Sequence, residues 1–195
     1  MKKLKNISLV ALFLFTFSFA GAKEKDGEGV SLNGEQTVLV DLSNVNRGTR
    51  ILFEDKFGVT LFKDDLLKDG QYNKSLHLEM IPHGIYFLKV DKRFATRVWK
   101  IKKSSKGVEI VGKSATISKP YFRVQQETVG VFMTNTQEGR VDLSVEDKHG
   151  EVLAQIRESG KLFQKILDFS NVPSGEYLIK VNKGQEKFEE KIVIN

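Results

Sequence analysis

The feature that most constrains this chain is a short stretch that occurs twice. Ile81-Pro82-His83-Gly84-Ile85-Tyr86-Phe87-Leu88-Lys89-Val90 returns as Val172-Pro173-Ser174-Gly175-Glu176-Tyr177-Leu178-Ile179-Lys180-Val181, 91 residues later. Proline fixes φ and has no N–H to donate, so it belongs just ahead of a strand and not inside one. Glycine two residues on adds backbone freedom. Tyr86, Leu88 and Val90 then share one strand face, as do Tyr177, Ile179 and Val181. Each copy reads as a sharp turn feeding a central β-strand.

Other landmarks repeat at nearly the same distance. Glu54-Asp55-Lys56-Phe57-Gly58 returns as Glu146-Asp147-Lys148-His149-Gly150, and Lys100-Ile101 as Lys191-Ile192. A period this long marks a duplicated domain, since solenoid repeats run about 20–50 residues. Between the landmarks, short runs rich in valine, isoleucine, leucine and phenylalanine alternate with turn residues: 38–42, 50–54, 59–62, 75–80, 85–90 and 96–102. No segment has a helical period. The expected fold is all-β, two tandem immunoglobulin-like antiparallel β-sandwich domains over 37–112 and 119–195. Ser104-Ser105-Lys106-Gly107 reads as a turn and Val108 to Val111 as a short strand, so the connection is structured. In the recurrent Asp-Lys-x-Gly element, Asp55 and Asp147 are placed to accept backbone N–H groups two residues on, a turn role and not a catalytic one.

The first residues obey different rules. Lys2, Lys3 and Lys5 precede an apolar run from Ile7 to Phe19, then Ala20-Gly21-Ala22. This is the pattern of a secretory signal peptide over 1–22. The run is too short to span a membrane comfortably. Polar, glycine-bearing residues 23–36 read as a flexible leader. Removing 1–22 deletes three lysines and no acids, so the formal charge falls from +6 to +3. That excess gives no electrostatic case for nucleic acid. With no cysteine there is neither a disulfide framework nor a cysteine lipid anchor, and an exported bacterial protein held by its core fits best.

Catalytic signatures are missing. No serine sits in a Gly-x-Ser-x-Gly elbow, and neither phosphate-cradling nor dinucleotide-binding glycine patterns occur. The expectation is a non-enzyme with no cofactor. His77, His83 and His149 lack the spacing of a zinc site, so no metal is expected. Asp64-Asp65 and Asp69-Gly70 resemble fragments of a calcium loop without its alternating ligands, and read as a polar hairpin loop.

Two features leave alternatives open. Trp99 shares a strand face with Arg97 and Ile101. It is either core or a sugar-stacking platform with Arg97 and His77 as polar neighbours and Phe94 or Tyr72 as a second aromatic. In the latter case the protein is a carbohydrate-binding module. The lysines and arginines from Lys89 to Lys119 read as a charged edge strand that resists aggregation, or as a contact for an acidic envelope component such as lipopolysaccharide.

The Pro-x-Gly-x-Tyr turn, the Asp-x-x-Gly hairpin and the terminal Lys191-Ile192-Val193-Ile194-Asn195 resemble the type IX secretion sorting domains of Bacteroidetes and small exported flavobacterial sandwich proteins. The pattern covers residues 43–103 and 135–195. The resemblance implies a seven-stranded immunoglobulin-like fold, and for the second half recognition by that secretion machinery and display on the cell surface. It makes Lys191 to Asn195 the sorting handle, with Pro82, Gly84, Tyr86, Pro173, Gly175 and Tyr177 as structural residues. A partner protein or envelope component is then expected, with the final compartment periplasm, cell surface or medium.

Overall fold

The computed structural model describes residues 29–194. The expected signal peptide, residues 1–22, and residues 23–28 of the expected leader lie outside that range. The described chain is all strand and turn, and no helix in it is long and apolar enough to cross a membrane. It divides into two units between Ile117 and Ser118.

In the first unit, β1 (Val30–Leu32), β2 (Thr37–Val45) and β5 (Gly70–His77) form one antiparallel sheet, in the order β1-β2-β5. Strands β4 (Thr60–Asp65), β3 (Arg50–Asp55), β6 (Gly84–Asp91), β7 (Ala95–Ser104) and β8 (Gly107–Ile110) follow one another in the other sheet, and β9 (Ala115–Ser118) also pairs with β7. The second unit repeats the first seven strands. Its sheets run β10 (Tyr121–Gln125), β11 (Thr128–Thr134), β14 (Leu162–Asp168), and β13 (Val152–Glu158), β12 (Val141–Asp147), β15 (Gly175–Lys183), β16 (Glu186–Ile194). Both units therefore place strands 1-2-5 in one sheet and 4-3-6-7 in the other, an immunoglobulin-like sandwich.

The leader needs one correction. Val30 to Leu32 form a strand against Val38 to Val40, and the Asp41 N–H donates to the Gly29 carbonyl at 2.8 Å. Val30 is buried in the core. One buried valine in a run of polar residues is a weak signal, so the pairing was not evident from composition.

The cores come from alternation. Val38, Val40 and Leu76 from one sheet meet Ile51, Phe53, Leu88, Trp99 and Ile101 from the other. Val129, Val131 and Leu167 meet Leu143, Val145, Ile179 and Ile192 in the second unit. Burying each such side chain stabilises by about 1.5–3 kcal/mol relative to exposure.

The duplicated turns have the same geometry in both copies. Asp55 Oδ1 accepts the N–H groups of Phe57 and Val59 at 2.8 and 2.9 Å, and Asp147 Oδ1 those of His149 and Glu151 at the same distances. Gly58 and Gly150 close the turns at φ +84° and +77°, which L-residues rarely adopt. Opposite each turn, Tyr86 donates its hydroxyl to the Pro82 carbonyl at 2.7 Å and Tyr177 to the Pro173 carbonyl at 2.5 Å. This is the tyrosine corner of immunoglobulin-like sandwiches. Burial, then the nearby Asp55 or Asp147 carboxylate, holds each phenol above its ordinary pKa. Gly175 sits at φ +157° while Gly84 has no positive φ, so the element common to both corners is the tyrosine and not the glycine's freedom. Tyr86→Phe and Tyr177→Phe each strand a carbonyl. We expect either to cost its own unit about 1–3 kcal/mol in urea unfolding, with the other unit unaffected.

Candidate functional site

The expected sorting handle, Lys191 to Asn195, begins in the end of β16. This strand pairs with β15 through nine consecutive residue pairs, from Lys183 opposite Glu186 to Gly175 opposite Ile194. Its side chains alternate. Ile192 and Ile194 are 3% and 4% exposed and belong to the core, whereas Val193 is 57% exposed. Lys191 points outward and pairs with Glu176 on β15 at 2.8 Å. Asn195 lies outside the described residues. The handle is thus half core and half surface, and only Lys191 and Val193 of it present side chains outward. Beside it, Asp147, Lys148, Glu176, Tyr177 and Lys191 line a shallow cleft of about 270 Å³. Backbone donors from Glu151 and His149 hold the Asp147 carboxyl below its ordinary pKa, so an anion stands at that turn.

The alternative ligand site does not assemble. Trp99 is 5% exposed, opposite the fully buried Leu88. A stacking platform needs an open ring face, and this one is packed into the core. Arg97 lies over the same ring, its guanidinium 5.0 Å from the centroid, and its Nε donates to Ser114 Oγ at 2.8 Å. His77 belongs to the other sheet, where its Nδ1 lies 3.2 Å from Thr37 Oγ1. Phe94 stands in the turn between β6 and β7 beside Arg93. Tyr72 gives its hydroxyl to Asp64, and burial and that bond raise its pKa.

The basic cluster is not an edge strand either. β7 lies between β6 and β8 in its sheet. Lys89 is bound to Glu54 at 2.6 Å, a pair repeated by Lys180 and Glu146 at 2.6 Å, and Lys102 reaches Glu109 at 3.1 Å. Lys103 is 5% exposed and donates to the carbonyls of Leu78 and Glu79. Sequence reasoning missed that inward lysine, although its two-residue spacing from Ile101 and Trp99 placed it on the core face. Asp64 and Asp65 lie in β4 and not in a loop, while Asp69 Oδ1 accepts the Arg47 N–H at 2.5 Å.

A second cleft, about 700 Å³, lies at the turn between β10 and β11 and is lined by Gln125, Gln126, Glu127, Thr128, Asp168 and Ser170. Asp168 accepts the Ser170 N–H at 2.9 Å, and the backbone and hydroxyl donors of Ser170 hold its pKa down. That carboxylate is spent on its own turn. No cluster of three or more histidine or acidic side chains able to hold a metal occurs among the described residues.

Residues 125–195 match the family of secretion system C-terminal sorting domains. The matched segment lies within the second unit and contains the whole handle. No curated protein sequence matches the chain. Among solved structures, the BSP domain of a biofilm associated protein is similar at 13% identity and TM-score 0.30, over 83% of this chain and 27% of that one. The human OSCAR ligand-binding domain gives 10% identity and TM-score 0.25 over 81% and 89%. A beta-glucuronidase of an uncultured Clostridium sp. gives 10% and 0.28 over 82% and 32%. The chain spans about a quarter of the first of these. Superpositions this loose assign no function, and among these comparisons it is the sorting-domain match that points to export.

Proposed function

We propose that the second unit is a type IX secretion sorting module, and that the chain is an exported, non-catalytic bacterial protein acting through contact with a protein or envelope partner. The observation that carries this reading is the sorting-domain match over residues 125–195, which falls inside one folded unit. The handle fits it. Lys191 and Val193 offer side chains to a reader while Ile192 and Ile194 fix the strand from below. A protein contact is favoured over lipopolysaccharide, because Lys89, Lys102 and Lys103 are already engaged within the first unit.

The test is a periplasmic reporter carrying residues 118–195 at its C-terminus, made in a bacterium that possesses the secretion system. Delivery to the surface or medium is the expected result. Retention in the periplasm with a protease-resistant, folded second unit sinks the proposal.

A further inference from the structure

The two units differ in how their seventh strand is covered. In the first, β8 runs antiparallel along the end of β7, with Ile101 opposite Ile110, Lys102 opposite Glu109 and Lys103 opposite Val108. The Val111 N–H donates to the Lys100 carbonyl at 2.8 Å. Backbone groups of alternate residues point the same way, so those of Lys100 and Lys102 face β8. Val108 and Ile110 extend the core over this edge.

Strand β16 is the counterpart of β7. Ile192 stands opposite Tyr177 as Ile101 stands opposite Tyr86. The backbone groups of Lys191 and Val193 therefore point where β8 lies in the twin, yet β16 ends its sheet among the described residues. Natural edge strands are protected by charge, proline or a bulge. Lys187, Glu189 and Lys191 supply charge along most of β16, but its last described residues are Ile192-Val193-Ile194, with no bulge against β15.

We infer that this edge is the surface the secretion machinery reads, and that an extended segment of a machinery protein adds to β16 as an antiparallel strand, as β8 adds to β7. The inference rests on the sorting proposal above. The segment it fits has apolar side chains at alternate positions, on the side of Ile192 and Ile194, where Val108 and Ile110 sit in the twin. A second copy of this chain fits less well. A two-fold pairing of β16 with itself centred on any residue from 186 to 191 sets at least one like-charged pair directly opposite, which destabilises a sheet, and one centred on Ile192 or Val193 avoids this but joins at most five described residues of each strand.

The experiment compares the full-length chain with V193P and with V152T, a change at an exposed position of β13 on the opposite edge of the same sheet, in a host with the secretion system. Proline at 193 removes the outward N–H and nothing from the β15 ladder, a place where strands tolerate it. Delivery of V193P falls about tenfold for the loss of one donor, while V152T is delivered like the parent. The melting temperature of purified V193P stays within about 3 °C of the parent. If V193P is delivered normally while the reporter carrying 118–195 is also delivered, sorting stands and strand addition falls. If that reporter is retained, both fall. Should V193P unfold, hydrogen exchange on the parent chain decides. Fast exchange at Lys191 and Val193 beside a protected Ile192 supports the open edge, and protection at all three, with a dimer in sedimentation, overturns it.

Discussion

Trp99→Ala destabilises the first unit by about 3–5 kcal/mol, the usual cost of emptying a buried aromatic site, and leaves the unfolding of the second unit where it was. Trp99 is 5% exposed, and its cross-strand partner Leu88 and strand neighbour Ile101 are fully buried. Nothing close by is free to collapse into the space, because β7 is held between β6 and β8. Arg97 loses the ring it covers at 5.0 Å, and the guanidinium is then left over a cavity. Trp99 is the sole tryptophan, so tryptophan fluorescence cannot follow the variant. Urea unfolding watched by far-UV circular dichroism, with hydrogen exchange read separately on peptides of each unit, gives the number. A loss below about 1 kcal/mol contradicts the packing described here. The same result bears on sugar binding, since a ring that supports the core at this cost has no open face to stack on.

The sequence made the architecture legible because the duplicated turns were complete local statements. The Asp-Lys-x-Gly turn needs one carboxylate, two N–H groups and one positive φ, all within five residues, and both copies adopt it. The tyrosine was legible as a core residue, but not as the donor to a carbonyl four residues upstream, since that bond depends on how the preceding loop folds back. Trp99 stayed ambiguous for a physical reason. Its strand face carries Arg97 on one side and Ile101 on the other, and periodicity shows which residues share a face without showing which face is inside. Lys103 misled in the same way, because charge argues for solvent while alternation with Ile101 argues for the core. Only the Leu78 and Glu79 carbonyls waiting there resolve it. The basic run was misplaced as an edge because strand order is a long-range property, and β8, the strand that covers β7, is four residues long.

Ile192→Ala is expected to cost the second unit about 2–5 kcal/mol, while Val193→Ala, one residue on, costs less than about 0.5 kcal/mol. Ile192 is 3% exposed, lies opposite Tyr177 and belongs to the core; Val193 is 57% exposed. Domains are marginally stable at about 5–15 kcal/mol, so the first change removes much of the fold and the second almost none. Chemical unfolding of the two variants measures that gap directly. If the second unit sorts as proposed, delivery then separates two ways in which the handle can fail. Ile192→Ala loses delivery because β16 no longer holds its place, and the loss is largest at temperatures where the unit has melted. A Val193 variant that remains folded reports on the reader alone. If Ile192→Ala unfolds the unit and is still delivered, the machinery recognises an extended tail and not a strand set in a sheet. Equal stability of the two variants would mean that the alternation along β16 is absent in solution.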